Sequence, residues 1–273
     1  MNNLKATVLI DNISNNELQP EWGLSIYIEY AGKQILLDTG ASKRFAENAE
    51  KLGIDLSQVD FGVLSHAHYD HADGMDTFFK KNEKAVFYLR KGCGENCYGK
   101  KFIFRKYIGI KKGVMEEFKD RIRLAEDDYE IMQGVTLLPH KEKDLFHIGR
   151  KNSLYVKRGG LLRPDNFAHE QSLVFDTEKG LVIFNSCSHG GANRIIREVS
   201  ETYPDKKMYA LIGGFHLYHC SADEVKELAQ RIRDTGIEKV YTGHCTGKAG
   251  YQVLKDELGE MVQQLETGLV IEL

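Results

Sequence analysis

The residues best suited to chemistry are gathered in one stretch, Ser65-His66-Ala67-His68-Tyr69-Asp70-His71-Ala72-Asp73-Gly74, which contains a His-x-His-x-Asp-His string. It follows the short apolar run Phe61-Gly62-Val63-Leu64, which reads as a strand. If the strand end stays extended, His66 and His68 at i and i+2 project the same way and offer two imidazole nitrogens to one cation. Asp70 and His71, on the turn that follows, can face a second cation. A polar turn that merely happens to be rich in histidine is the competing interpretation. It fits poorly, because imidazoles packed this closely repel when protonated and are hard to bury unless a cation organises them.

The elements that must position these residues can be read from hydrophobic periodicity. The run Ala6-Thr7-Val8-Leu9-Ile10 and the segments 23–30 and 34–37 are β-branched or alternating and are bounded by Asn and Gly, which predicts an antiparallel meander. Phe45, Ala49 and Leu52 at helical spacing predict a helix over 42–52, with Ser42 as N-cap and Gly53 as the stop. Further strands are expected at 85–89, 134–138, 172–176, 181–184, 208–212 and 239–241, and helices at 191–201, 222–235 and 249–259. Strand runs in both halves with few helices between them predict an α/β four-layer fold, two packed sheets flanked by helices. Residues 91–133 show little periodicity and are expected to form an insertion or lid over the active site, within one domain spanning 1–273.

The His66-x-His68-x-Asp70-His71 string, preceded by Leu36-Leu37-Asp38-Thr39-Gly40, resembles the metallo-β-lactamase superfamily, whose fold is an αββα sandwich with a di-metal site at one sheet edge. Asn185-Ser186-Cys187-Ser188-His189-Gly190-Gly191, Gly213-Gly214-Phe215-His216-Leu217 and Thr242-Gly243-His244-Cys245-Thr246-Gly247 narrow the resemblance. Together they are similar to the subgroup named for 7,8-dihydropterin-6-methyl-4-(β-D-ribofuranosyl)aminobenzene-5′-phosphate synthase. The resemblance implies His189 and His244 as further ligands, and either His169 or His189 as the third histidine of the first metal. Where most members carry a metal-bridging Asp this chain has Cys187, either a ligand or a buried structural thiol. Asp38 is implied as the acceptor that orients a ligand imidazole. His216, at the end of another strand, is a metal ligand or an acid/base group above the substrate.

The expected cofactors are two divalent cations, zinc foremost, with manganese or iron also compatible. The expected reaction is hydrolysis of a small organic substrate, phosphorylated or not, by a metal-activated water, with Asp70 orienting the nucleophile and His216 protonating the leaving group. The subgroup's name implies instead a condensation of a dihydropterin with an aminobenzene ribotide. The same residues would also suit an iron-dependent redox member of the fold or a metal-bearing sensor.

Composition narrows the partners. Thirty-seven Lys and Arg against 40 Asp and Glu leave a net charge of −3, without the basic excess that nucleic-acid or membrane-surface binding draws on. No apolar run is long enough for a membrane span, and five cysteines suit reduced thiols, so a cytoplasmic protein is expected. Cys93-x-x-x-Cys97 has no second Cys pair and is one residue longer than a zinc knuckle, which favours structural thiols. Lys100, Lys101, Arg105, Lys106, Lys111 and Lys112, interleaved with Phe102, Phe104 and Tyr107, form either a solvated basic face or the lining of an anion pocket.

Overall fold

Alternation along the central strands is apolar on both faces, which demands a layer on each side. In strand Ser25–Tyr30, Ile26 and Ile28 point one way and Tyr27 the other; in Gly180–Phe184, Val182 and Phe184 oppose Leu181 and Ile183. The computed structural model, which describes residues 3–15, 17–101 and 104–273, meets that demand with two seven-stranded mixed sheets packed face to face. The inter-sheet core joins Ile26, Ile28, Ile35 and Leu37 of one sheet to Leu173, Phe175, Val182 and Phe184 of the other. Helices Arg44–Lys51 and Met75–Lys81 cover the outer face of the first sheet through Phe45, Ala49, Phe78 and Phe79. Helices Ala192–Thr202, Ala222–Arg233 and Gly247–Leu258 cover the second. The result is the αββα arrangement expected from the sequence.

The first sheet runs in the order Val270–Glu272, Lys5–Ile10, Ser25–Tyr30, Lys33–Leu37, Phe61–Val63, Val86–Arg90, Ile122–Ala125. Its meander is antiparallel up to Lys33–Leu37 and parallel beyond it. The second sheet runs Val262–Gln264, Lys239–Thr242, Met208–Ile212, Gly180–Phe184, Gln171–Thr177, Val135–Pro139, Tyr129–Met132. Strands Lys33–Leu37, Phe61–Val63, Gly180–Phe184, Met208–Ile212 and Lys239–Thr242 each end in a loop that carries a residue of the histidine cluster or its support.

Two sequence expectations change. Lys43 and not Ser42 takes the N-cap position of the first helix, although the Ser42 hydroxyl donates to Glu21 and accepts from Arg44 N, the first helical residue, at 3.2 Å. Residues 91–133 do not act as one inserted unit. The hairpin Cys97–Lys101 and Phe104–Tyr107 joins Leu154–Arg158 and Leu161–Pro164 in a separate four-stranded antiparallel sheet, whereas Ile122–Ala125 and Tyr129–Met132 edge the two main sheets. The hairpin was illegible because Phe104–Tyr107 is largely exposed and rich in Lys and Arg, so it lacks a buried alternating face. Phe102 lies outside the described residues. Among the described residues no helix is long and apolar enough to cross a membrane.

The inter-sheet core should dominate stability. Phe184→Ala, which empties a fully buried position, is expected to cost about 3–5 kcal/mol in chemical denaturation; a loss well under 1 kcal/mol would mean that the sheets do not pack through this layer.

Candidate metal centre

The site is built where strand ends of the two sheets meet. Strand Phe61–Val63 stops just before the histidine string, and His68, still extended at φ −90° and ψ 148°, leads into a single helical turn, Tyr69–Ala72, that carries Asp70 and His71. This segment is tied down by backbone bonds: Tyr69 N donates to Ile108 O (2.9 Å), Thr39 N to His71 O (2.8 Å) and Leu24 N to Asp70 O (3.3 Å). From the second sheet come the loops bearing Cys187 and His189, then His216, then His244 and Cys245. Asp38, Ser188, His216 and His244 all hold positive φ, 58°, 46°, 51° and 46°, conformations that cost non-glycine residues energy and gather where structure over-determines them.

Two sets of donors result. Ligand atoms of His66, His68 and His189 lie within 4.8 Å of one another, and so do those of Asp70, His71 and His244. Cys187 joins the sets, grouping with His66 and His71 on one side and with His244 and Cys245 on the other. Among the described residues the Nε2 atoms of His66, His68 and His189 are buried without a hydrogen-bond partner, which buried polar atoms rarely tolerate. Burial, reinforced by neighbouring histidines, pushes the pKa of His66, His68 and His244 well below 6.5. These rings are therefore neutral, the form that donates a lone pair to a metal. Unpartnered, neutral nitrogens beside Asp70 and Cys187 fit one or two divalent cations of the zinc or iron type.

Carboxylates fix the rings from behind. Asp38 Oδ2 accepts from His71 Nδ1 (2.8 Å) and from the Ser65 hydroxyl (2.7 Å), and Oδ1 accepts from Ser65 N (2.7 Å). Ser65 Oγ lies 2.9 Å from His66 Nδ1, so Asp38 governs His71 directly and His66 through one hydroxyl. Burial alone would lower the His71 pKa, but Asp38 and Asp70 outweigh it and the net shift is upward. Glu170 holds His189 by Nδ1 and by the backbone N (3.2 Å), and is itself gripped by His140 Nε2 at 2.8 Å. His140 Nδ1 reaches Glu198 at 3.1 Å. His244 is set by Asn12, 3.0 Å from its Nδ1, and by Asp11, which accepts from its backbone N at 2.9 Å.

His169 and His189 occupy different surroundings, each within reach of His68. His189 joins His66 and His68, whereas His169 accepts from Ala67 N at Nδ1 (3.2 Å) and donates from Nε2 to Asp165 (2.8 Å). His169 thus pins the loop between the two leading histidines, and together with His68, Cys97 and Asp165 it forms a second buried donor group. His216 belongs to neither donor set; its Nδ1 is buried without a partner, its Nε2 is 3.3 Å from the Tyr218 hydroxyl, and its ring centroid is 4.7 Å from that of His189. The supporting roles of Cys245, Asn12, Asp11, Ser65 and Glu198 had no readable signal in the sequence. Glu170 and Gln171, adjacent to a suspected ligand, did carry one.

Above the donors opens a pocket of about 700 Å³, lined by His68, Asp70, His189, His216 and His244 below, by Trp22, Tyr218 and Phe104 at the side, and by Lys100, Arg105, Lys106 and Lys151 around the mouth. The small sheet and its hairpin supply much of this wall. Lys151 pairs with Glu224, while among the described residues Lys100, Arg105 and Lys106 have no carboxylate within ion-pair distance; two of them lie over the rings of Tyr155 and Tyr69.

Fold and donor set define a candidate metal-binding centre where two sheets of a sandwich meet. The family profile of the metallo-β-lactamase superfamily matches residues 21–149, and the chain has that superfamily's fold. It is 27% identical over 285 residues to the 7,8-dihydropterin-6-methyl-4-(β-D-ribofuranosyl)-aminobenzene-5′-phosphate synthase of Methanocaldococcus jannaschii, covering 99% of this chain and 97% of that one. A crystallised metal-dependent hydrolase of the β-lactamase superfamily superposes with a TM-score of 0.81 at 29% identity, over 99% of both chains. A diphosphatase of the PhnP family, at 16% identity and a TM-score of 0.56 over 99% of this chain and 97% of that one, shares the fold.

Two measurements probe the supports. Glu170→Gln should weaken zinc binding about 10–100-fold by calorimetric titration, because the His189 ring loses its anionic anchor; unchanged affinity would remove Glu170 from the centre. Burial lowers the His140 pKa, but Glu170 and Glu198 raise it further, to about 9. A folded-state value above the unfolded 6.5 contributes stability that is complete below that pH and is lost as pH rises through about 9. The stability gap between the metal-free parent and His140→Gln should therefore shrink across that window in denaturant titrations, and a flat gap would contradict the ion-pair assignment.

Proposed function

We propose that this protein is a metal-dependent hydrolase acting on a small, anionic organic substrate. The observation that carries the reading is the convergence of unpartnered, neutral imidazole nitrogens with Asp70 in an open pocket that is also lined by cationic side chains. His66, His68 and His189 would hold one cation, and Asp70, His71 and His244, with Cys187 between the sets, a second; zinc suits these donors best. When bound, such cations supply Lewis acidity and a coordinated water whose pKa is lowered towards neutrality. Asp70 accepts a hydrogen bond from the attacking water and fixes its direction. His216, kept neutral by burial, takes up at Nδ1 the proton lost by the attacking water and passes it, as imidazolium, to the leaving group, while the Tyr218 hydroxyl contacts its other nitrogen. Lys100, Arg105 and Lys106 bind the anionic end of the substrate, and Trp22, Tyr218 and Phe104 flank its organic part. The likeness to a metal-dependent hydrolase over nearly the whole chain supports this chemistry. Cysteines present as free thiols support a cytoplasmic setting.

A second reading, condensation of a dihydropterin with an aminobenzene ribotide, is favoured by the full-length similarity to the archaeal synthase and by the aromatic wall beside a basic mouth. The same groups would serve it, with the cationic rim on the phosphate.

Zinc- and manganese-loaded protein assayed against phosphomonoesters, phosphodiesters and lactones separates the two. Hydrolysis should fall below detection in Asp70→Ala and about 10²–10⁴-fold in kcat for His216→Ala, whereas Arg105→Ala should act mainly on KM. No turnover of any ester, together with condensation of a dihydropterin and an aminobenzene ribotide, would replace the hydrolase reading by the synthase one.

A further inference from the structure

We propose that Cys187 and Cys245 act together as a dithiolate arm of the metal centre, so that the cation beside His71 and His244 is held by sulfur as well as by imidazole and carboxylate. The inference rests on the metal-centre reading above and not on the reaction. The two Sγ atoms are 3.4 Å apart, and Cys187 Sγ is 3.2 Å from His71 Nε2. Ligand atoms of Cys187, Cys245 and His244 fall within 4.8 Å of one another, as do those of Cys187, His66 and His71. Both cysteines are buried and both line the floor of the pocket.

The fold makes specific room for the second sulfur. Residue 214 is glycine, and a Cβ there would stand 2.5 Å from Cys245 Sγ. The His216 backbone N donates to that same sulfur at 3.2 Å, a contact that favours the thiolate over the thiol. Cys245 is delivered by a short 3-10 turn, His244–Thr246, whose first residue holds φ 46°, so the imidazole and the thiol of consecutive residues reach one place. Cys93, also buried, shows the contrasting case: its thiol is spent on the His169 carbonyl at 3.3 Å and does not line the pocket.

Sulfur donors have a chemical consequence. Thiolates select zinc, iron(II) or cobalt(II) and disfavour manganese and magnesium, which prefer oxygen. The position beside His71 and His244 should therefore discriminate against the oxygen-seeking cations.

The test uses cobalt(II) as the probe, titrated without substrate into metal-free full-length protein kept reduced. A strong near-ultraviolet sulfur-to-cobalt charge-transfer band is expected, displaced by zinc and not by equal manganese. The band should fall by about half in Cys187→Ser and in Cys245→Ser, vanish in the double variant and stay unchanged in Cys93→Ser, since its intensity follows the number of bound thiolates. Circular dichroism identifies a variant that fails to fold; Cys245→Ala then supplies the same reading as Cys245→Ser. A band unaffected by either Cys245 substitution, or cobalt binding with no sulfur band, overturns the proposal. Failure of cobalt to bind at all overturns it together with the metal-centre reading, whereas an intact sulfur band in a protein without esterase activity upholds it and counts only against hydrolysis.

Discussion

The structure depends on burying many imidazoles side by side. Rings packed at centroid distances of 4.2–5.1 Å are tolerable only if each nitrogen has a partner. One side of the cluster is satisfied by the protein itself: Asp38 behind His71, Ser65 behind His66, Glu170 behind His189 and Asn12 behind His244. The opposing nitrogens of His66 and His189 are left open, a division of labour that orients rings for a cation at the centre.

The three consecutive residues His169, Glu170 and Gln171 show how densely this support is wired. His169 pins Ala67 N, Glu170 anchors His189, and Gln171 donates from its side chain to Leu64 O (2.9 Å) and from its backbone to Ser65 O (2.9 Å). One strand entrance in the second sheet therefore fixes the loop leaving the first. The strained backbone at Asp38, Ser188, His216 and His244 belongs to the same economy: the packed sandwich supplies the energy that holds functional loops in conformations they would not adopt alone.

The small third sheet has a different task. Its hairpin contributes little to the inter-sheet core but roofs the cluster, closes on it through the pairing of Gly109 with His68, and brings cationic side chains to the mouth. Local positive charge thus coexists with a net charge of −3, and the composition that argues against a polyanion partner leaves room for a small anionic substrate.

The sequence by itself determined the layered fold and the leading half of the site. Short continuous apolar runs named strands such as Met208–Ile212 and Gly180–Phe184 to within a residue, because burial on two faces leaves a local mark. The contiguous His66–His71 string was legible for the same reason, since its donors are neighbours in the chain. Tertiary structure decided what depends on distant chain segments meeting: that His189 stands beside both His66 and His68, that Cys245 reaches Cys187 across 58 positions, and that His140 and Glu198 stand behind Glu170. The hairpin over the pocket also waited for the fold, because its exposed, charged strands carry no hydrophobic period and are defined only by the partners they pair with.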